Sequence, residues 1–173
     1  MRLFFAAFPD LDTCRKIAAA ARTLDLPGAP RYLPPDNYHV TLLFLGEVSD
    51  AEVQSIREIG EAQRVECSSL RFDRWEYWKD AGAVVASSSD RPQSLLNLRA
   101  TLAARLAQHG VSFDDKPLRP HITVARKIAQ APVLQALSEF SCEVRAFSLV
   151  SSVTASSGSV YTVVGTWPLL DTA

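Results

Sequence analysis

The chain of 173 residues is long enough for one domain with a substantial core, or for two small lobes that share one. Apolar residues make up 47% and charged residues 21%, a composition that excludes a disordered chain and a membrane protein. The net charge of −1 argues against coating nucleic acid by bulk electrostatics, although a few local arginines and lysines can still hold a polyanion. The cysteines, Cys14, Cys67 and Cys142, lack CxxC spacing, so we expect reduced thiols in a cytoplasmic protein.

The first half of the chain predicts two strands and two helices. A strand at residues 2–8 is followed by a helix at 11–24. A proline-stiffened loop at 31–37 then leads into a strand at 38–46 and a second helix at 50–62. The opening apolar run is too short for a signal peptide, so it is assigned to a strand. Asp10 is the expected N-cap of the first helix, and Ser49 with Glu52 forms a capping-box pattern before the second.

The second half repeats this order and adds strands at its end. The pattern predicts an alternating aromatic strand at residues 70–78 and a short apolar strand at 83–86. A charged, proline-containing loop is predicted at residues 114–120. Before that loop, four leucines at helical spacing predict a helix that begins after Pro92 and ends at Gly110. A short helix and two closing strands are predicted at residues 132–137, 143–151 and 159–167.

One short motif, His-x-Thr followed by an apolar residue, occurs twice in strand context. Its residues are His39 and Thr41 in the first copy, and His121 and Thr123 in the second. Successive side chains of a strand point to opposite faces, so each histidine shares a face with its threonine. The apolar residues expected on the opposite face are Val40, Leu42 and Phe44 in the first copy, and Ile122 and Val124 in the second.

The order strand, helix, proline-containing loop and His-x-Thr strand also occurs twice. His121 lies 82 positions after His39, and the apolar strands near Phe5 and Val85 are about 80 positions apart. Matching offsets in two independent features indicate two similar α+β lobes related by a pseudo-twofold axis. Such an axis can bring two imidazoles and two hydroxyls together across one cleft.

These features resemble the 2H phosphoesterase superfamily. The resemblance rests on YHVTLLFLGEV, on RPHITVAR, on the RLFFA opening and on the G-x-x-Y stretch before Trp167, and it covers nearly the whole chain. Within that superfamily the chain is most similar to the bacterial and archaeal RNA 2′,3′-cyclic phosphodiesterases, historically called 2′-5′ RNA ligases. The resemblance implies one bilobal α+β domain over residues 1–173, in which each lobe is a small, mainly antiparallel sheet with outer helices beside a central cleft.

The activity implied by the resemblance is metal-independent hydrolysis of an RNA or nucleotide 2′,3′-cyclic phosphodiester to a 2′-phosphomonoester. The reverse reaction would join RNA ends by a 2′-5′ bond. Histidine has a pKa of about 6.5 and suits both acid and base roles, so only the resemblance assigns His39 as proton donor and His121 as proton acceptor. Thr41 and Thr123 are expected to donate hydrogen bonds to the phosphate oxygens. No cofactor, metal, membrane or obligatory protein partner is expected.

Several other side chains are candidates for substrate binding. Arg126 lies five positions after His121, on the opposite face of an ideal strand, so it is structural unless the strand ends or bulges before it. The basic candidates in the two proline-containing loops, each also explained as solvated surface, are Arg31, Lys116 and Arg119. The aromatic candidates for stacking or lining, each also explained as core, are Trp75, Tyr77, Trp78 and Tyr161.

Other functions are compatible with the same residues. His39 and His121 are possible metal ligands, but zinc sites usually have three or four ligands and no third candidate is evident. Two alternatives to the main interpretation remain. One is a nucleotide- or RNA-binding module without turnover, and the other is a phosphodiesterase for another substrate such as 2′-5′ oligonucleotides. His109, next to Gly110, is explained by a favourable interaction with a helix C-terminus and receives no catalytic role.

Overall fold

The computed structural model describes residues 1–155 and 158–171. Its helices are α1 (Leu11–Arg22), α2 (Asp50–Glu61) and α3 (Gln93–Gln108), with short 3₁₀ turns at Pro35–Asn37 and Lys79–Ala81. Its strands are β1 (Arg2–Ala7), β2 (Arg31–Tyr32), β3 (Val40–Glu47), β4 (Ser68–Phe72), β5 (Arg74–Trp78), β6 (Ala83–Ser87), β7 (His121–Arg126), β8 (Phe140–Val144), β9 (Ala146–Ala155) and β10 (Gly158–Pro168). None of the helices in these ranges is long and apolar enough to cross a membrane.

Two antiparallel four-stranded sheets carry the two His-x-Thr motifs. The strand order is β10-β9-β1-β3 in the first sheet and β2-β7-β6-β5 in the second, while β4 and β8 form a separate pair. In each sheet an inner strand pairs with the motif strand that follows it after a helix, as β1–α1–β3 in one and β6–α3–β7 in the other. This repetition confirms the two-lobed α+β fold predicted from the duplicated sequence.

The helices connect the two lobes through a shared core. α1 contacts β7, and α3 contacts β3, so the helix of each lobe packs against the motif strand of the other. Buried side chains from both large sheets and all three helices belong to one apolar cluster. The four predicted leucines of α3 are fully buried in it: Leu95, Leu98, Leu102 and Leu106. Burial of one leucine side chain stabilises the folded state by roughly 1.5–3 kcal/mol. The motif strands are therefore packed against a stable core.

The predicted helix starts are confirmed by their hydrogen bonds. Asp10 Oδ1 accepts the backbone N–H of Thr13 at 2.9 Å and caps α1. The backbone N–H of Ser49 donates to Glu52 Oε2 at 2.9 Å, which is half of the capping box predicted for α2. α1 ends at Arg22, two residues before the predicted end.

Two predicted strands are each divided between two structural strands. The predicted strand 70–78 breaks at Asp73, because β4 pairs with β8 whereas β5 pairs with β6. The Asp73 carboxylate accepts a hydrogen bond from the Ser89 hydroxyl and forms an ion pair with Arg74 at 2.9 Å. The predicted strand 143–151 breaks at Arg145, whose carbonyl accepts the backbone N–H of Leu169 at 2.8 Å. Alternation of apolar and polar residues indicates that a segment is a strand, but it does not indicate which strand is its partner.

The helix predicted at residues 132–137 is wrong. This segment has no regular secondary structure, although Leu137 is buried and Leu134 packs against the core. The Gln135 amide donates to the Thr23 hydroxyl at 2.7 Å, so tertiary contacts hold the segment in an irregular path. Two leucines spaced by three residues imitate a helical period without forming a helix. The loop predicted at residues 31–37 also contains the two-residue strand β2 and a 3₁₀ turn.

Candidate active site

Both motif strands bulge immediately after the threonine. The register pairs are Ala6 with Thr41 and Phe5 with Leu43 in one lobe, and Val85 with Thr123 and Val84 with Ala125 in the other. Leu42 and Val124 are therefore extra residues, and an extra residue shifts the alternation of the strand by one. As a result Phe44 and Arg126, each five positions after its histidine, line the same cavity as His39.

The bulges decide two expectations drawn from ideal strand alternation. The expectation that Phe44 faces away from His39 is wrong, because the extra residue Leu42 brings Phe44 round to the cleft. Arg126 required a bulge to reach that face, and the extra residue Val124 supplies it. Phe44 and Arg126 are thus pseudo-equivalent positions of the two lobes, one aromatic and one cationic.

Each histidine is anchored by the carbonyl two residues before it. His39 Nδ1 lies 2.8 Å from the carbonyl oxygen of Asn37, and His121 Nδ1 lies 2.6 Å from that of Arg119. A carbonyl only accepts hydrogen bonds, so Nδ1 carries the proton in both rings. In the neutral imidazole Nε2 is therefore the unprotonated nitrogen.

His39 lies in an aromatic environment. The ring centroids of Phe4 and Tyr161 are each 5.0 Å from that of His39, with Tyr161 edge-on, and Phe8 is 6.0 Å away. Burial disfavours the charged ring and lowers the pKa of His39 to about 4, and the positive charges of His121 and Arg126 act in the same direction. The hydrogen bond to the Asn37 carbonyl opposes this shift. His39 is therefore neutral at physiological pH.

His121 lies among one aromatic ring and several charges. The Trp78 ring centroid is 4.2 Å from that of His121, at an interplanar angle of 49°. Burial lowers the pKa of His121, and the positive charges of Arg119 and Arg126 add to this effect. The hydrogen bond to the Arg119 carbonyl and the negative charge of Glu76 both raise the pKa. The two pseudo-equivalent histidines thus make the same kind of hydrogen bond through Nδ1 but differ in their surroundings.

The two histidines line adjoining cavities of one cleft. The cavity beside His39 measures about 340 Å³ and is lined also by Thr41, Arg126 and Tyr161. The cavity beside His121 measures about 270 Å³ and shares Thr41 and Phe44 with the first. Thr123, half-buried, lies on β7 two residues after His121. Within residues 1–155 and 158–171, no cluster of three or more His, Cys, Asp or Glu side chains is arranged to hold a metal ion.

Comparison with known proteins identifies the family of this two-histidine cleft. The model of the 2′-5′ RNA ligase superfamily matches residues 9–155. The chain belongs to the 2′-5′ RNA ligase superfamily.

Named relatives match nearly the whole chain. The RNA 2′,3′-cyclic phosphodiesterase of Escherichia coli is 29% identical, over 97% of this chain and 96% of the relative. That of Thermus thermophilus is 32% identical, over 95% of this chain and 88% of the relative. The crystal structure of E. coli LigT complexed with 3′-AMP superposes with a TM-score of 0.88 at 28% identity, over 97% of both chains. The superfamily fold therefore extends over both lobes.

The remaining predicted candidates divide between the cleft and the core. Trp75 is 7% exposed and belongs to the core, and the Tyr77 hydroxyl donates to the Ile128 carbonyl at 2.9 Å. Trp78 and Tyr161 instead border the cleft, next to His121 and His39. His109 is exposed at the end of α3, with Nδ1 2.8 Å from the Arg105 carbonyl, as its position before a glycine predicts.

The basic candidates lie at the rim of the cleft. Arg119 forms an ion pair with Glu76 at 3.1 Å, and exposed Lys116 forms one with Asp114 at 3.1 Å. Arg31 pairs with Arg126 in the register of β2 and β7, and both arginines line a further cavity beyond Tyr161. Arg31 and Arg126 thus lie side by side at one end of the cleft.

Several lining residues were not predicted from the sequence. In the cavity beside His39 they are Arg2, Phe4, Phe44, Ser152, Thr154 and Ser159. The Arg2 guanidinium lies over the Phe44 ring, 4.9 Å from its centroid, so a second cation faces the site from the lobe that lacks an equivalent of Arg126.

Proposed function

We propose that this protein hydrolyses RNA or nucleotide 2′,3′-cyclic phosphodiesters to 2′-phosphomonoesters by two-histidine acid–base catalysis. The observation that supports this most directly is the pair of pseudo-equivalent imidazoles on one cleft, each anchored at Nδ1 so that Nε2 is left for the substrate. The names of the E. coli and T. thermophilus relatives support the same substrate class. The proposed reaction uses the side chains of the cleft alone.

In the proposed reaction His121 is the base and His39 the acid, as the family resemblance implies. His121 Nε2 takes a proton from water while the water oxygen forms a bond to phosphorus. The bond between phosphorus and the ribose O3′ breaks, and protonated His39 gives its proton to O3′. The phosphate remains on O2′, and each positioned proton transfer accelerates the reaction typically by about 10²–10⁴-fold.

The substrate itself supplies the charge that His39 needs. Burial lowers the pKa of His39 to about 4, so the ring is neutral at physiological pH. A cyclic phosphodiester carries a negative charge, and an opposite charge within about 4–6 Å favours the imidazolium. Substrate binding and protonation of His39 are therefore coupled, whereas His121 stays neutral and accepts the proton of the water.

The threonines and Arg126 are proposed to bind the phosphate. The hydroxyls of Thr41 and Thr123 donate hydrogen bonds to the non-bridging oxygens, where negative charge increases in the transition state. Arg126 faces the cavity beside His39 and presents a planar, permanently charged guanidinium suited to phosphate. Tyr161 and Arg119 at the borders of the cleft are proposed to contact the nucleoside or the RNA strand.

The setting of this activity is also proposed. One apolar cluster joins both lobes, which supports a single bilobal catalytic domain over residues 1–173. The three cysteines are unpaired thiols, which supports work in the reducing cytoplasm. RNA or a nucleotide that ends in a 2′,3′-cyclic phosphate is the proposed partner.

The test offers 2′,3′-cyclic nucleoside monophosphates and a cyclic-phosphate-ended RNA, with and without EDTA. We expect turnover in EDTA, a 2′-phosphate product, and loss of turnover in His39→Ala and His121→Ala. His109→Ala is the matched control, since it removes an exposed imidazole outside the cleft. Binding of these ligands without turnover by the parent protein would contradict the proposal, as would full activity of His121→Ala. The same RNA with a 5′-hydroxyl acceptor measures 2′-5′ ligation.

A further inference from the structure

A carboxylate outside the proposed reaction connects several groups around His121. Glu76 on β5 accepts three hydrogen bonds: from Trp78 Nε1 at 2.9 Å, from Arg119 Nη2 at 3.1 Å and from Arg74 Nε at 2.9 Å. Its side chain is about one-quarter exposed, with a relative accessibility of 24%, so these bonds are only partly screened by water.

Two of these partners touch His121 directly. The Trp78 ring packs against the imidazole, and the Arg119 carbonyl accepts its Nδ1–H at 2.6 Å. The Arg119 guanidinium also lies over the Trp78 ring, 4.8 Å from its centroid. Glu76 therefore holds both the ring that packs against His121 and the residue that accepts its hydrogen bond.

The other lobe has no matching arrangement among the described residues. His39 is packed by Phe4, Phe8 and Tyr161, and its carbonyl partner is Asn37. The charges that affect it are those of His121 and Arg126, both positive. The carboxylate network is thus specific to one member of a pseudo-equivalent pair, which indicates a task that only His121 performs.

We propose that Glu76 is a positioning residue that holds Trp78 and Arg119 against His121 and so aims His121 Nε2 at the attacking water or 5′-hydroxyl. This inference rests on the proposed two-histidine reaction. The imidazole of a base that is free to tilt loses alignment with its proton donor, and misplacement by about 1 Å can reduce the rate by about 10²-fold.

The charge of Glu76 has a second effect on the same ring. The charged groups that act on His121 are Arg119 from its own loop, Arg126 from β7 and Glu76 from β5, and His39 interacts with it across the cleft. Only Glu76 among them is negative, so its removal lowers the pKa of His121 further. A base works in its neutral form, and the acid limb of kcat, which reports the complex with substrate, then moves to lower pH.

The decisive variant is Glu76→Gln, which keeps the shape of the side chain and an acceptor for Trp78 but removes the charge. We expect kcat to fall about tenfold with little change in KM, and the acid limb to shift to lower pH. Trp78→Phe removes the indole donor and keeps a ring against His121, and we expect a smaller fall in kcat. Glu139→Gln is the control, because it breaks an exposed ion pair outside the cleft, with Arg71 at 3.2 Å.

The outcomes separate this inference from the proposed function. A parent protein without turnover contradicts the proposed function, and NMR titration of the His121 imidazole in parent and Glu76→Gln still tests the positioning. A lower pKa of His121 in the variant, with altered ring signals, supports the inference. An active parent whose Glu76→Gln variant has unchanged kcat and an unchanged His121 titration overturns it. A fall in kcat that only follows lost stability, with no shift of the acid limb, overturns it as well.

Discussion

His39 should make this protein sensitive to acid in a measurable way. Its folded-state pKa is lowered to about 4, mainly by burial, whereas an unfolded histidine titrates near 6.5. As the pH falls below about 6.5, the unfolded state binds a proton that the folded state rejects, so the free energy of unfolding decreases. The stability that neutral His39 contributes is complete above that pH and is lost progressively as the pH falls towards 4.

The size of the effect follows from the two pKa values. Between pH 7.5 and pH 5, linkage predicts a loss of about 2 kcal/mol from this single group, and about 3 kcal/mol by the time its folded form titrates. Other groups also titrate in this range, among them His121, whose pKa burial also lowers. A variant that lacks only the His39 imidazole isolates the contribution of that residue.

The assay is urea unfolding at pH 7.5 and pH 5 for the parent and for His39→Asn. Asparagine retains an N–H donor near the position of Nδ1, so the bond to the Asn37 carbonyl can persist. We expect the parent to lose about 2 kcal/mol more than His39→Asn across this interval. Equal losses in parent and His39→Asn would refute the argument that burial keeps His39 neutral.

Three further predictions concern the cleft and its support. Arg126→Gln should lower kcat/KM for cyclic nucleotides by about 10²-fold if Arg126 binds the phosphate, and unchanged steady-state kinetics would contradict this. Arg2→Gln should raise KM by a few fold with kcat nearly constant, because Arg2 borders the cavity on Phe44 without touching either histidine; a loss confined to kcat would be inconsistent with that position. Gly60→Ala should lower the free energy of unfolding by about 1–2 kcal/mol, because the added Cβ would lie 2.6 Å from the Trp167 ring. This overpacking outweighs the gain in helix propensity. Thermal melts at constant pH measure the change in stability.

Local patterns in the sequence predicted much of the secondary structure and the identity of the central pair. Asp10 and Ser49 mark helix starts because their side chains bond within one turn, and the leucines of α3 lie on one face because the helical period places them there. His39, Thr41, His121 and Thr123 were recognisable because the motif is repeated with its preceding strand and helix. These features depend on neighbours within a few residues, or on repetition, and both are visible in a linear chain.

Only the tertiary structure decided which side chains face the cleft beyond each motif. The bulges at Leu42 and Val124 turn Phe44 and Arg126 towards His39, and a bulge depends on the pairing of two strands distant in sequence. The break at Asp73 likewise follows from a change of partner strand.

The difference between the two histidines also arose only in three dimensions. Their sequence contexts are nearly the same and both rings bond the carbonyl two residues before them, yet His39 is enclosed by aromatic rings. His121 instead faces Trp78 and the charge of Glu76, contributed by β5 more than forty residues earlier in the chain. Burial and charge depend on everything packed around a ring, so the repeated motif predicted a pair, and the fold made its two members different.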